Sequence, residues 1–122
     1  MPSNARRLVD AFLSGDVASA AGLLAPGARF HSPIRDYAGA DEIGAVWRAV
    51  GGVVANARPT SVHEHDRETI AFFVGTIKSQ PVDGVLRTLT DNEGSVNDVT
   101  LMLRPWAALK RRLDRESPDY AT

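Results

Sequence analysis

The sequence predicts an α+β domain in which helices come first and a curved antiparallel sheet then wraps around them to form a cone. Two observations predict this fold. Apolar residues recur at helical spacing up to about residue 54, and from residue 58 onward they alternate along extended segments joined by short turns. Short connections favour antiparallel neighbours. Helices packed on one face of such a sheet leave an open end that can hold a small molecule.

Three helices are predicted before the main part of the sheet. Ser3 or Asn4 caps the first and Asp16 caps the second, because short polar side chains accept hydrogen bonds from the free amides of a first helical turn. Asp41 and Glu42 begin the third, where the helix dipole favours negative charge. The apolar face of this third helix consists of Ile43, Val46, Trp47, Val50 and Val54.

Extended segments make up the rest of the chain. A short strand over residues 28–32 follows the second helix, and a loop over residues 34–39 leads into the third. The main strands are 60–66, 69–79, 82–91 and 95–104. The strand 69–79 is apolar on both faces, which predicts a central place in the sheet. Pro105 ends the last strand and suits the first turn of a final helix.

Length and composition are those of a single soluble globular domain. The chain has 122 residues, of which 43% are hydrophobic and 24% charged. Its net charge of −1 argues against a nucleic-acid binder, and it has no apolar run of membrane-spanning length and no hydrophobic signal region. The absence of cysteine excludes disulfides and cysteine zinc sites. We expect one cytoplasmic domain over residues 1–122, with a core over about 5–112 and a loose tail over 117–122.

The last predicted strand carries the first candidate for chemistry, Asp98. Strict alternation predicts one face that consists of Val96, Asp98, Thr100, Met102 and Arg104. A carboxylate among apolar and hydroxyl side chains is typical of a pocket wall. Loss of water around such a carboxylate raises its pKa, as a base that works near neutral pH requires. The alternative is a structural ion pair between Asp98 and Arg87 or Arg104.

Histidines and one tyrosine supply the other polar candidates. His31, on the short first strand, can transfer a proton or hold a substrate carbonyl, or else bond the backbone of a nearby loop. Tyr37, in the following loop, can place its hydroxyl at the pocket mouth or pack its ring under Ile34. His63 and His65 have the i, i+2 spacing of a metal pair without a third ligand. Acidic residues alternate with them, so we expect a solvated edge and no metal site.

Large apolar side chains at core spacing complete the expected pocket. The residues expected to line it are Trp47, Phe72, Val96, Thr100 and Met102. The same spacing is also typical of plain core packing. The sequence has no glycine-rich phosphate loop and no Ser-His-Asp order, so nucleotide binding and acyl-enzyme chemistry are not expected.

Several segments resemble SnoaL-like proteins of the nuclear transport factor 2-like superfamily. The segments are residues 14–20, 23–33, 37–43, 82–85 and 94–106. The last of them, Gly-Ser-Val-Asn-Asp-Val-Thr-Leu-Met-Leu-Arg-Pro-Trp, resembles the branch in which the final strand ends in Arg-Pro. The resemblance extends over about residues 5–112. It implies a cone of bent antiparallel sheet with three helices, often dimeric through the sheet.

The resemblance identifies the superfamily better than the activity. Its members include polyketide cyclases, ketosteroid isomerases, epoxide hydrolases, dehydratases and proteins with no known reaction, so the fold does not assign chemistry. Asp98 matches the position where the cyclases carry a general base for an aldol closure. Thr100 departs from the pattern, since relatives often have an aromatic or another polar residue there. Neither the Asp–Arg–Asp set of the hydrolases nor the Tyr and protonated Asp of the isomerases is recognised in this chain.

Two classes of function follow from these observations. The leading hypothesis is a protein that binds a small, largely apolar organic molecule, as a cofactor-independent cyclase or isomerase. Asp98 would remove a proton next to a carbonyl, assisted by His31 and Tyr37. The alternative is a non-catalytic ligand-binding or dimerisation module in which Asp98 is ion-paired. A weaker third hypothesis, epoxide hydrolysis, needs a second acid near Asp98, for which Asp83 is the candidate.

The expected partners follow from the leading hypothesis and from the resemblance. They are the organic ligand and a second copy of the chain, bound through the sheet. We expect no cofactor, no metal, no nucleic acid and no membrane.

Overall fold

The order of helices and strands along the chain confirms the predicted α+β class. The computed structural model describes residues 3–50 and 54–105. Its helices are α1 (Asn4–Leu13), α2 (Val17–Ala21) and α3 (Ala40–Val50). Its strands are β1 (Leu24–His31), β2 (Asp36–Ala38), β3 (Ala55–His65), β4 (Glu68–Ile77), β5 (Gln80–Thr90) and β6 (Val96–Arg104). The final helix predicted after Pro105 lies outside the described residues.

Both predicted helix caps at the start of the chain are confirmed. Ser3 Oγ accepts a hydrogen bond from the Arg6 amide at 3.1 Å, and Asp16 Oδ1 accepts one from the Ser19 amide at 3.2 Å. The second helix is shorter than predicted, because Leu24 already pairs with Val96 in the sheet. Strand β1 therefore begins before the Pro-Gly pair that was expected to end the helix.

One sheet contains all six described strands, in the order β2-β1-β6-β5-β4-β3. The last four form the predicted antiparallel meander. Two pairings were not predicted. The loop at 34–39 contains β2, which pairs antiparallel with β1, and β1 pairs parallel with β6. The expected central place of β4 is wrong, since β4 lies next to the edge strand β3.

Helices cover one face of the sheet, and the main core lies between the helices and this face. The largest fully buried side chains include Leu8 of α1, Trp47 of α3, and Phe73 and Leu86 of the sheet. Each such side chain contributes about 1.5–3 kcal/mol through the removal of apolar surface from water. We call the helix-covered side of the sheet the inner face. We call the opposite side the outer face. It carries Phe72 and the other residues that alternate with core residues along the strands.

A close contact on the inner face shows how tightly the core is filled. Gly84 lies directly opposite Phe73 across β4 and β5. A Cβ atom at Gly84 would lie 2.7 Å from Cζ of Phe73 and 2.5 Å from the carbonyl oxygen of Met102. Only glycine allows the aromatic ring to lie this close to the backbone, so side chains fill the concave side of the sheet at this point.

A β-bulge in β6 changes the face on which Val96 lies. Asp98 pairs with Leu89 and Val96 with Thr90, so Asn97 is an extra residue in the ladder. Val96 is therefore fully buried on the inner face, whereas Asp98 lies on the outer face. The predicted grouping of Val96 with Asp98 on one face is wrong, because one inserted residue reverses the alternation.

Candidate functional site

His31 and Asp98 meet on the outer face of the sheet. Strands β1 and β6 run parallel, with His31 in register with Thr100. Phe30 is buried on the inner face, so its neighbour His31 points outward. The Nε2 atom of His31 lies 3.1 Å from Oδ2 of Asp98, although the two residues are 67 positions apart in the chain. The two sequence-predicted polar candidates are thus in direct contact.

A second carboxylate binds the other side of the same imidazole. Strand β2 places Asp36 directly opposite His31, and Oδ1 of Asp36 lies 3.0 Å from Nδ1 of His31. We call His31, Asp36 and Asp98 the His31 cluster. Sequence reasoning missed Asp36, because the segment after Pro33 lacks a strand-like apolar run. Treating residues 36–38 as a strand antiparallel to β1 would have revealed it, since alternation then places Asp36 on the face of His31.

The two carboxylates determine the charge of the histidine. Hydrogen bonds to Asp36 and then to Asp98 raise the pKa of His31, while partial burial opposes the rise. The imidazolium is therefore favoured, since it can donate an N–H to each carboxylate. The side chain of His31 is 33% exposed, that of Asp98 24% and that of Asp36 72%. One positive and two negative charges leave the cluster with a single net negative charge at the surface.

The geometry of the cluster differs from that of a metal site. The two carboxylates bind opposite nitrogens of the ring, so the three side chains do not converge on one point. In the described part of the chain, no group of three His, Cys, Asp or Glu side chains is arranged to hold a metal ion.

Neither arginine proposed as a partner of Asp98 binds it. Arg104 makes two hydrogen bonds to Asp83, at 2.8 and 3.0 Å, and Arg87 pairs with Glu68. Asp98 instead binds His31. Asp83 lies six residues along β5 from Leu89, the cross-strand neighbour of Asp98, which is about 20 Å in an extended strand. Asp83 therefore does not supply the second acid that epoxide hydrolysis would need beside Asp98.

Tyr37 lies on the opposite face from the cluster. It is buried on the inner face, where its ring stacks on Phe30 at 5.9 Å between centroids. The guanidinium carbon of Arg35 lies 4.8 Å from the centre of the same ring. The expected contribution of Tyr37 to proton transfer does not fit this position, because the sheet separates its ring from Asp98. Its neighbour Asp36 is the residue that reaches His31.

The five residues expected to line one pocket are divided between the two faces. Trp47 and Val96 belong to the inner core, whereas Phe72, Thr100 and Met102 lie on the outer face. Trp47 packs edge-on against Phe12 and Phe30, at 5.2 and 5.4 Å between ring centroids. Its buried Nε1 has no hydrogen-bond partner among the described residues. These five residues do not form a single wall, because they lie on opposite sides of the sheet.

An apolar row crosses the middle of the outer face. Phe72, Val85 and Met102 are direct cross-strand neighbours on β4, β5 and β6. Phe72 is 45% exposed and Met102 is 61% exposed, the two large apolar side chains that the described structure leaves open to solvent. Leu89 lies opposite Asp98, and the pair formed by Arg87 and Thr100 lies between these two residues and the apolar row.

The histidine pair at the edge of the sheet is solvated, as predicted. His63 and His65 are exposed on β3, an edge strand. His63 packs edge-on against Phe72, and His65 lies 3.3 Å from Asp66. In residues 3–50 and 54–105, no helix has the length and apolar character needed to cross a bilayer.

Solved structures with the same fold are numerous. A bacterial protein with a cystatin-like fold from Silicibacter pomeroyi DSS-3 is 21% identical, with a TM-score of 0.84 over 98% of this chain and 86% of that one. A steroid delta-isomerase from Pseudomonas aeruginosa is 22% identical, with a TM-score of 0.81 over 99% and 96%. A protein from Kribbella flavida DSM 17836 is 14% identical, with a TM-score of 0.76 over 95% and 93%. At these identities the likeness shows the fold alone.

Sequence comparison identifies the family. Among curated proteins, none matches the chain. The family model of the SnoaL-like domain matches residues 5–104, which is most of the chain. Together with the cystatin-like fold, this match shows that the chain belongs to the SnoaL-like family.

Proposed function

We propose that this SnoaL-like protein binds a small, largely apolar organic molecule on the outer face of its sheet and moves a proton on it. The contact between Asp98 and His31 is the observation that carries the proposal. Asp98 Oδ2 is held by the histidine, while Oδ1 accepts no hydrogen bond from any described residue. An oriented carboxylate with one oxygen open to a bound molecule is suited to general acid–base chemistry.

The reaction would start with removal of a proton from a carbon next to a carbonyl. Oδ1 of Asp98 takes the proton, and the electron pair left on carbon moves to the carbonyl oxygen to form an enolate. The positive charge of His31 beside the reacting group stabilises the developing negative charge. Return of the proton from Asp98 to another carbon completes an isomerisation. Alternatively, attack of the enolate carbon on a second carbonyl closes a ring, and the alkoxide that this forms takes the proton back from Asp98. No step requires a cofactor.

The surroundings of Asp98 favour an apolar ligand. Leu89 lies opposite Asp98, and beyond Arg87 and Thr100 the exposed side chains of Phe72 and Met102 provide further apolar surface on the same face. An organic molecule that covers them would gain about 25 cal/mol for each Å² of apolar surface removed from water. The fold of the steroid delta-isomerase supports an isomerase-type reaction by analogy only.

The test is exchange of carbon-bound hydrogen catalysed by the protein. Cyclic ketones and enones are incubated with the protein in D₂O, and NMR follows exchange at the carbon next to the carbonyl. Asp98→Asn, which keeps the shape of the side chain, should lower the rate at least about 100-fold, the usual contribution of a general base. Asp10→Asn is the matched control, since Asp10 is a carboxylate paired with Arg6 on the exposed side of α1. Undiminished exchange in Asp98→Asn rules the proposal out.

A second candidate function is assembly through the outer face, and the exposed apolar row favours it. Phe72 and Met102 are open to solvent, and the charges beside them are already satisfied by the Arg87–Glu68 and Arg104–Asp83 pairs. A second copy of the chain could cover the row without breaking either of these ion pairs, which makes burial of the row less costly. A stable dimer of this kind buries about 800 Å² on each copy.

Sedimentation velocity distinguishes the two candidates. If the outer face is an assembly surface, the protein sediments as a dimer and Met102→Lys sediments as a monomer. Ala45→Lys adds the same charge on the exposed side of α3 and should leave the mass unchanged. A wild-type protein that is monomeric at micromolar concentration contradicts the assembly function. That result does not affect the acid–base proposal, which the exchange experiment tests.

A further inference from the structure

A groove of about 490 Å³ lies at the end of the outer face remote from the His31 cluster. Residues from β3, β4 and β5 and from the end of β6 line it. Its central row follows the register of the sheet, with Arg58 opposite Val74, Val74 opposite Asp83, and Asp83 opposite Arg104. The row therefore places one guanidinium at each side of the groove and an apolar residue and a carboxylate between them.

The two guanidinium groups differ in how far they are satisfied. Arg104 is held by both oxygens of Asp83, and this pairing keeps the pKa of Asp83 below its usual range. Within the described ranges, no carboxylate lies at ion-pair distance from Arg58. Among the described residues that line the groove, two arginines and one aspartate add up to one net positive charge, and none of them pairs with Arg58, whose guanidinium can donate hydrogen bonds to a ligand.

A bulge in the edge strand sets the position of Arg58. Ala55 pairs with Thr76 and Arg58 pairs with Val74. Two residues of β3 therefore lie opposite the single residue Gly75. Asn56, one of the two, lines the groove and has a φ of 55°, in the left-handed region that few side chains adopt. A Cβ atom at Gly75 would lie 2.9 Å from the carbonyl oxygen of Ala55, so only glycine accommodates the bulge. Bulges of this kind re-aim side chains and are frequent beside binding sites.

The remaining walls of the groove are largely apolar. Pro81 and Pro105 line it together with Val74, whereas the side chain of Val82, which also borders the groove, is buried in the inner core. Neither proline offers an amide hydrogen, so the two prolines provide contact surface and no hydrogen-bond donors. An apolar surface beside a guanidinium that has no ion-pair partner among the described residues is suited to a molecule that has a hydrocarbon body and one negative group.

We propose that this groove binds a small organic carboxylate, with its carboxyl group on the guanidinium of Arg58 and its apolar body on Val74 and the two prolines. The planar guanidinium matches a carboxylate in two parallel hydrogen bonds. This site is independent of the acid–base chemistry proposed for Asp98, since the two share no residue.

Titration with benzoate, followed by the amide NMR spectrum, tests the site. Benzoate should shift the amide resonances of Gly75 and Val82, and benzamide, the neutral molecule of the same shape, should not. Arg58→Gln should weaken benzoate binding at least about tenfold, the loss expected for a charge-assisted hydrogen-bond pair. Arg67→Gln removes the same charge from the turn at the other end of β3 and should leave binding unchanged.

Asp83→Asn should change the affinity for benzoate in the direction opposite to Arg58→Gln. It removes the carboxylate of the groove and releases Arg104, so benzoate should bind more tightly, and more so at low salt. Equal shifts with benzamide, unchanged benzoate affinity in Arg58→Gln, or no shift at Gly75 and Val82 would each overturn the proposal. Arg58 is exposed, so its replacement leaves the core intact, and a wild-type spectrum outside the groove verifies this.

Discussion

Replacement of Asp36 by asparagine tests whether the His31 cluster behaves as a charged unit. In the folded protein Asp36 and Asp98 raise the pKa of His31, whereas in the unfolded chain the histidine titrates near its ordinary value of about 6.5. The imidazolium therefore stabilises the fold at low pH. This contribution is complete below the unfolded pKa and is lost as the pH rises through the folded pKa. Stability from the cluster should consequently fall as the pH rises above the unfolded pKa of about 6.5.

The size of this loss of stability follows from the exposure of the three side chains of the His31 cluster. His31 and Asp98 are partly buried and Asp36 is mostly exposed, so each ion pair is worth about 0.2–1 kcal/mol. Two pairs then predict that the free energy of unfolding is about 0.4–2 kcal/mol lower at pH 9 than at pH 6. Asparagine keeps a hydrogen-bond acceptor but removes the charge. Asp36→Asn should therefore reduce this difference by about half and lower the pKa of His31.

Urea unfolding at the two pH values, with an NMR titration of the His31 ring, measures both quantities. Asp10→Asn is the control, because it removes a carboxylate from the exposed pair with Arg6 on α1, in which no histidine takes part. The control should keep the wild-type difference between the two pH values. A difference that is unchanged in Asp36→Asn, or a wild-type protein that becomes more stable as the pH rises through this range, would refute the reasoning.

Two further predictions concern the packing that holds the site in place. Gly84→Ala should lower the free energy of unfolding by about 1–3 kcal/mol in urea titration, because the added methyl group overlaps the ring of Phe73 and the backbone of Met102; stability equal to the wild type would show that the ring moves aside freely. Ser3→Ala should lower the melting midpoint through a loss of about 1 kcal/mol, since the Arg6 amide at the start of α1 loses its acceptor. A Ser3→Asp variant, which restores an acceptor, should recover that loss.

Most residues of the candidate site could be predicted individually from the sequence, but the contacts between them could not. Asp98 was predicted from its unusual place in an apolar strand, and His31 from its chemistry. Their contact depends on the parallel pairing of β1 with β6, which joins segments 67 residues apart and leaves no periodic signal in either segment. Asp36 was missed for a related reason, since β2 has only three residues and its strand character comes from pairing with β1.

The amino-acid sequence by itself determined the fold class, the caps of α1 and α2 and the antiparallel meander, because each depends on interactions between residues close in the chain. Tertiary structure decided which face of the sheet each side chain occupies. The extra residue Asn97 in β6 reverses the alternation, so Val96 enters the core while Asp98 lies on the outer face. Side chains in a strand repeat every two residues, and a bulge depends on how the partner strand pairs. Asp98 lies on the outer face because it pairs there with Leu89, so the candidate site lies on that face rather than in the cone that the pattern of Asp98 and its neighbours had predicted.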